Sequence, residues 1–283
     1  MSTPERFTAL GFPFTVAAAD ATVRTERFRM WAACRVGAAP QRDEPTRFVV
    51  ARRAGRWILE VDGEERFTSE QPGRVVGALV WEVNQAAVAA AGGAGLAVVH
   101  AAGVVVDDVA VVLPGPSGSG KSTLVARLVA DGLDYLSDEA VAIDVASCRA
   151  LPYPKPVTIE TPAKVALQRF APEASVASLH EPEWNLAPST LRRDVAAREA
   201  VVGLIVIATY SPGASCTTTQ VTRAEGLAAL AQQAFHLRTD GARVFRDLER
   251  VAHGCRCHRV EYGDVDRASA AIRSLAEMEV RRG

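Results

Sequence analysis

Residues 115 to 122 of this chain read Gly-Pro-Ser-Gly-Ser-Gly-Lys-Ser, with the apolar run VAVVLP before them and the amphipathic run TLVARLVAD after. The octet meets GxxxxGK[ST] at every position. In the order strand, loop, helix it specifies a phosphate loop. Glycines let successive backbone N–H groups turn inward around an anion. Lys121 brings a positive charge to the β and γ phosphates, and Ser122 offers a hydroxyl to Mg²⁺. The dipole of the following helix adds to the attraction. The expected nucleotide-binding residues are therefore Gly115, Pro116, Ser117, Gly118, Ser119, Gly120, Lys121, Ser122 and Thr123, with ATP and Mg²⁺ as cofactors.

Around this loop, strand and helix patterns alternate. RFVVARRAGRWILEVDGEERFT (47–68) reads as a β-meander with turns at Ala54-Gly55 and Asp62-Gly63. A helix over 72–90 follows, with Val76, Leu79, Val80, Val83 and Ala87 on one face. AGGAG (91–95) ends it and marks a boundary between an N-terminal α+β module, 1–94, and a larger domain, 95–283. Strands are expected over 96–106, 109–115, 135–144, 201–210, 217–222 and 255–262. Helices are expected over 122–131, 223–237, 240–253 and 266–278, with Gly132 stopping the first and a Thr222–Glu225 capping box opening the second. The fold class is α/β.

Composition narrows the partners. The formal net charge of the 283 residues is −1, so no positive field draws the chain to nucleic acid or to an acidic membrane. No uninterrupted apolar run of membrane-spanning length stands out, and the first residues lack the pattern of a signal peptide. Five scattered cysteines suggest reduced thiols in a cytoplasm.

Asp138 comes only sixteen residues after Ser122, with Glu139 next to it. A kinase acting on a hydroxyl needs a carboxylate to take or orient its proton, and gains from another that holds the metal. Neighbours on a strand point to opposite faces, so the pair can do both only if the backbone bends there or one acid works through water. Tyr135, Leu136, Val141 and Ile143 set the acids inside a packed element. His100, in the strand before the loop strand, would alone read as a core histidine.

Together, His100, GPSGSGKS, Gly132 and Ser137-Asp138-Glu139 resemble the kinase domain of HPr kinase/phosphorylase. LPYPKPVTI (151–159) resembles the proline-rich stretch after the acidic strand in HPr-kinase-related proteins, a group that includes kinases of peptide-modifying and lasso-peptide gene clusters. The resemblance covers roughly 96–278 and implies a P-loop HPr-kinase-like core. It further implies Asp138 as catalytic base, His100 as support of the same site and Ser122 as the Mg²⁺ ligand; the residues themselves offer Lys121 as a catalytic cation and Asp138 and Glu139 as further metal ligands. The chain departs from the family at Glu139, where an aspartate is usual, and lacks the glycine-rich segment that supports the phosphorylase reaction.

The expectation is a serine kinase acting on a peptide or small protein. Two alternatives stay open: a small-molecule hydroxyl kinase, and a nucleotide-binding regulatory protein with no acceptor. A homo-oligomer is also left open. His253, Cys255, Cys257 and His258 read as plain strand and helix end rather than a zinc site, because C-x-C spacing is not the usual metal spacing. Lys155 reads as a solvated loop lysine, and Arg192, Arg193 and Arg198 as a solvated helix face.

Overall fold

A computed structural model describes residues 6–34, 44–195 and 198–282, so the first five residues of the N-terminal stretch considered above lie outside it. In chain order the elements begin with β1 (Arg6–Ala9), β2 (Phe12–Ala18), α1 (Ala21–Met30), β3 (Thr46–Arg53), β4 (Arg56–Val61), β5 (Glu64–Ser69) and α2 (Pro72–Gly93). Then come β6 (Ala97–Val99), β7 (Ala101–Val106), β8 (Val109–Pro114), α3 (Lys121–Ala130), β9 (Asp134–Ser137), β10 (Val141–Asp144) and β11 (Arg149–Leu151). The rest are β12 (Val157–Ile159), β13 (Trp184–Leu186), α4 (Pro188–Leu191), β14 (Ala200–Tyr210), β15 (Thr217–Val221), α5 (Arg223–Gln232), α6 (Gly241–His253), β16 (Arg256–Tyr262) and α7 (Val265–Val280).

The chain divides into two compact units. One holds Met1–Ala90 and Pro154–Thr190, the other Ala91–Tyr153 and Leu191–Gly283. The sequence suggested a single boundary at 94–95; the chain in fact changes unit three times, after Ala90, Tyr153 and Thr190. What ties 154–190 to the first unit is long-range. Buried His180, for example, lies with its Nε2 3.0 Å from the Glu26 carboxylate. No local pattern announces such a pairing.

The first unit is built on a five-stranded sheet, β1-β2-β3-β4-β5, antiparallel except for the parallel β2–β3 pair. The β3–β5 meander lies where the sequence put it. The β1–β2 hairpin and α1 had no clear signal. Phe14 centres the core, 5.4 Å from Phe7, 5.3 Å from Trp31 and 6.1 Å from Phe48 by ring centroids. Helix α2 is long and apolar enough to cross a membrane, a correction to the sequence reading. Half of its apolar window is buried in the protein, Val75, Val76, Leu79, Val80 and Val83 among the buried residues.

The second unit carries a nine-stranded sheet. Seven strands run in the order β6-β10-β11-β14-β8-β7-β9, β16 adds beside β14, and β15 beside β16. β8, β14 and β16 are parallel. Ala110, Val112, Leu136, Val141, Val202 and Ile205 pack between the sheet and the Leu230, Val244, Leu248 and Val251 faces of α5 and α6.

Candidate functional site

Strand direction decides what meets what. β7 runs antiparallel to both β8 and β9, with Ala101 opposite Pro114 and Gly103 opposite Ser137. The start of β7 therefore shares one sheet edge with the ends of β8 and β9. His100 precedes that start, the phosphate loop follows β8, and Asp138 follows β9. Three segments distant in sequence are brought together by strand pairing alone. In open α/β sheets the same edge, at the carboxyl ends of the parallel strands, is where ligands bind.

The loop itself leaves β8 at Pro114 and enters α3 at Lys121. Gly118 (φ 76°) and Gly120 (φ 88°) take left-handed backbone, which only glycine adopts without strain. Gly120 is the N-cap of α3 and has no side chain to cap it, so the first N–H groups of the helix are left for a ligand. Lys121 is buried, and its Nζ donates to the carbonyls of Gly115 (2.7 Å) and Pro116 (2.8 Å). The Ser119 hydroxyl is buried without a hydrogen-bond partner. Ser122 and Thr123 lie half-buried in the first turn. An orphan hydroxyl, open helix N–H groups and a lysine turned into its own loop make a donor set that fits a bound polyphosphate.

Two of the expected strands are broken. The run 96–106 divides into β6 and β7 with His100 between them, and 135–144 divides into β9 and β10 around Asp138, Glu139 and Ala140. His100 is thus at a strand break and not within a strand. The cause is a change of partner: β6 pairs with β10, whereas β7 pairs with β8 and β9. The His100 backbone N–H turns to the Gln233 carbonyl, 2.7 Å away. On the other chain segment the Ser137 hydroxyl accepts from the N–H groups of both Glu139 and Ala140, at 3.2 Å each, and holds the bend. The bend frees the two acids from the alternation of a strand.

The side chains at the breaks form a relay. Lys121 Nζ lies 3.1 Å from His100 Nε2, and His100 Nδ1 lies 3.3 Å from Glu139 Oε1. An ammonium can only donate, so Nε2 accepts and the ring proton sits on Nδ1, facing the carboxylate. Asp138 is 1% exposed, and Tyr135 donates its hydroxyl to Oδ1 at 2.9 Å. From sequence Tyr135 reads only as a packing residue and Ser137 only as part of the Ser-Asp-Glu run, so the hydrogen bonds they make here were not foreseen.

Other candidates fall elsewhere. Lys155 is in the first unit, 2% exposed, with Nζ donating to the Pro156 carbonyl at 2.9 Å, so it is not a solvated lysine. Residues 192–195, the described part after Leu191, are not helical. Arg192 there donates to Asp134 Oδ1 at 2.6 Å and to the Leu133 carbonyl at 3.1 Å, and Arg198 lies 3.3 Å from the other Asp134 oxygen. Arg192 thus clamps the start of β9, whereas Arg193 and Arg198 stay exposed. Among the described residues no group of three His, Cys, Asp or Glu side chains is placed to hold a metal. Cys255 bonds the Val202 and Val251 carbonyls, and burial pushes its thiol up to about 12.

A search of solved structures matches the chain to the HPr(Ser) kinase/phosphatase from Coxiella burnetii, at 12% identity and a TM-score of 0.31, over 65% of this chain and 97% of that one. No family model and no curated protein matches. At those values the functional conclusion rests on the geometry of the loop and its acids.

Proposed function

We propose that the second unit is a kinase, transferring the γ-phosphoryl group of ATP to a serine-type hydroxyl of a peptide or small protein. The observation that carries this is the contact chain from Lys121 through His100 to Glu139 beside the glycine-rich loop, with buried Asp138 the neighbour of Glu139 in the chain. When bound, ATP supplies the phosphoryl group and Mg²⁺ neutralises its charge. The loop N–H groups and Lys121 hold the phosphates. Ser122 and Glu139 hold the metal, as oxygen donors suited to a hard cation. His100 keeps Glu139 oriented and gives Lys121 a neutral partner. Asp138, oriented by Tyr135, takes the proton of the acceptor hydroxyl. One strand–loop–helix–strand unit supplies base, metal ligand and phosphate donors together, and joint positioning is what phosphoryl transfer needs.

The test is transfer of labelled γ-phosphate to a serine-containing peptide library and to small hydroxyl metabolites. Asp138→Asn should lower the rate about 10²–10⁴-fold, the usual contribution of a positioned base, with ATP affinity little changed. Glu139→Gln should chiefly raise the Mg²⁺ concentration required. Transfer by Asp138→Asn at the parent rate would overturn the mechanism. Labelling of metabolites alone would make the protein a small-molecule kinase.

A further inference from the structure

The phosphate loop has neighbours on its other side. Ideal Cβ geometry at Gly120 would bring that atom within 3.1 Å of the Tyr262 hydroxyl and 3.8 Å of Tyr210 Cβ. Tyr210 ends β14 and Tyr262 ends β16, and they are register partners in that parallel pair. Their ring centroids lie 5.6 Å apart, tilted by 59°. The two rings differ in environment. Tyr262 is buried, and burial pushes its phenol up to about 12. Tyr210 is 52% exposed, a large aromatic surface left to solvent beside an anion loop.

The loop that follows Tyr210 is held in place. Ser211 N–H donates to the Tyr262 carbonyl at 2.8 Å, Ala214 N–H to Ser211 at 3.0 Å, and Gly263 N–H to Ala214 at 3.1 Å. A Cβ on Gly263 would come 2.6 Å from the Ala214 nitrogen, so only glycine fits there. The tyrosines therefore sit on a fixed strand end and not on a loose connection.

Sheet order then gives the site a polarity. Across β9-β7-β8-β14-β16, the acids stand at the end of β9, on one side of the loop-bearing β8. The tyrosines stand at the ends of β14 and β16, on the other side. A linear triphosphate lying in the loop with its reacting end toward Asp138 has its sugar and base directed toward Tyr210.

Building on the nucleotide reading above, we propose that Tyr210 is the stacking face for the nucleotide base, with Tyr262 positioning it and its hydroxyl bordering the loop at Gly120. Stacking uses the π face that every purine presents, so the site should accept ATP and GTP with similar affinity.

Calorimetry with Mg²⁺ and three ligands, ATP, GTP and inorganic tripolyphosphate, tests this on the full chain. The parent protein should bind ATP and GTP more tightly than tripolyphosphate. Tyr210→Ala should lose about tenfold in affinity for both nucleotides and keep its affinity for tripolyphosphate, which also reports that the loop is folded. Tyr210→Phe should behave as the parent. Unchanged ATP affinity in Tyr210→Ala, or tripolyphosphate binding the parent as tightly as ATP, would overturn the inference while leaving the phosphate loop standing. A parent protein that binds none of the three would overturn the nucleotide reading and this inference with it.

Discussion

His100 and the cysteines show how little a residue type says without its surroundings. A histidine in an apolar run reads as a core residue, yet its two ring nitrogens face Lys121 and Glu139. The HGCRCH stretch reads as plain strand despite its thiols and imidazoles, and there Cys255 and Cys257 are buried, with burial raising both thiols above the ordinary range. Only the thiolate reacts with an alkylating agent, and burial penalises the thiolate. At pH 8, iodoacetamide followed by mass spectrometry should label half-buried Cys148 and Cys216 in the folded protein and spare Cys34, Cys255 and Cys257. The sign of the pH effect follows. Cys34 and Cys255 are raised from an ordinary 9.0 to about 12, so their neutral forms favour the fold. That contribution is complete below about pH 9 and is lost as the pH rises toward 12, so the denaturation midpoint should fall across that window.

At the scale of elements, helix ends were the most legible features. Gly132 has φ 113°, and α3 closes with Gly132 N–H on the Val129 carbonyl and Leu133 N–H on the Leu128 carbonyl, the paired bonds of a glycine-terminated helix. Helix α5 starts at its capping box, with the Glu225 N–H on Thr222 Oγ1 and the Glu225 carboxylate back on the Thr222 N–H. Its end is another matter. The pattern runs on to Leu237, but the helix stops at Gln232, because Gln233 accepts from His100 and Phe235 donates to Val98. A tertiary bridge to β6 takes over the backbone groups the helix would have used. Thr222→Ala should cost about 1 kcal/mol, the usual worth of an N-cap, read as a lower urea midpoint with unchanged slope.

At the scale of the molecule, the three crossings between units shape how the chain tolerates cutting. Residues 154–190 belong with 1–90, and buried His180 there lies 3.0 Å from Glu26. A chain beginning at Gly95 leaves this segment without most of its unit. Limited proteolysis should then cut within 154–190 under conditions in which the full chain resists. Equal resistance of both chains would show that the segment is held by something other than the N-terminal unit.

The sequence alone determined what is local: the glycine-rich loop between β8 and α3, the meander, the glycine stop of α3 and the capping box of α5. Each depends on backbone conformation or on bonds within a few residues, and those are written in residue order. Tertiary structure decided the rest. The breaks at His100 and Asp138 come from strands changing partners, and a hydrophobic pattern looks the same whether or not that happens. The meeting of His100 with Glu139, and of Tyr262 with Gly120, follows from antiparallel and parallel pairing across the sheet. Neither contact could be read along the chain, because sheet order is set by which faces bury best against one another and not by the neighbours of any one residue.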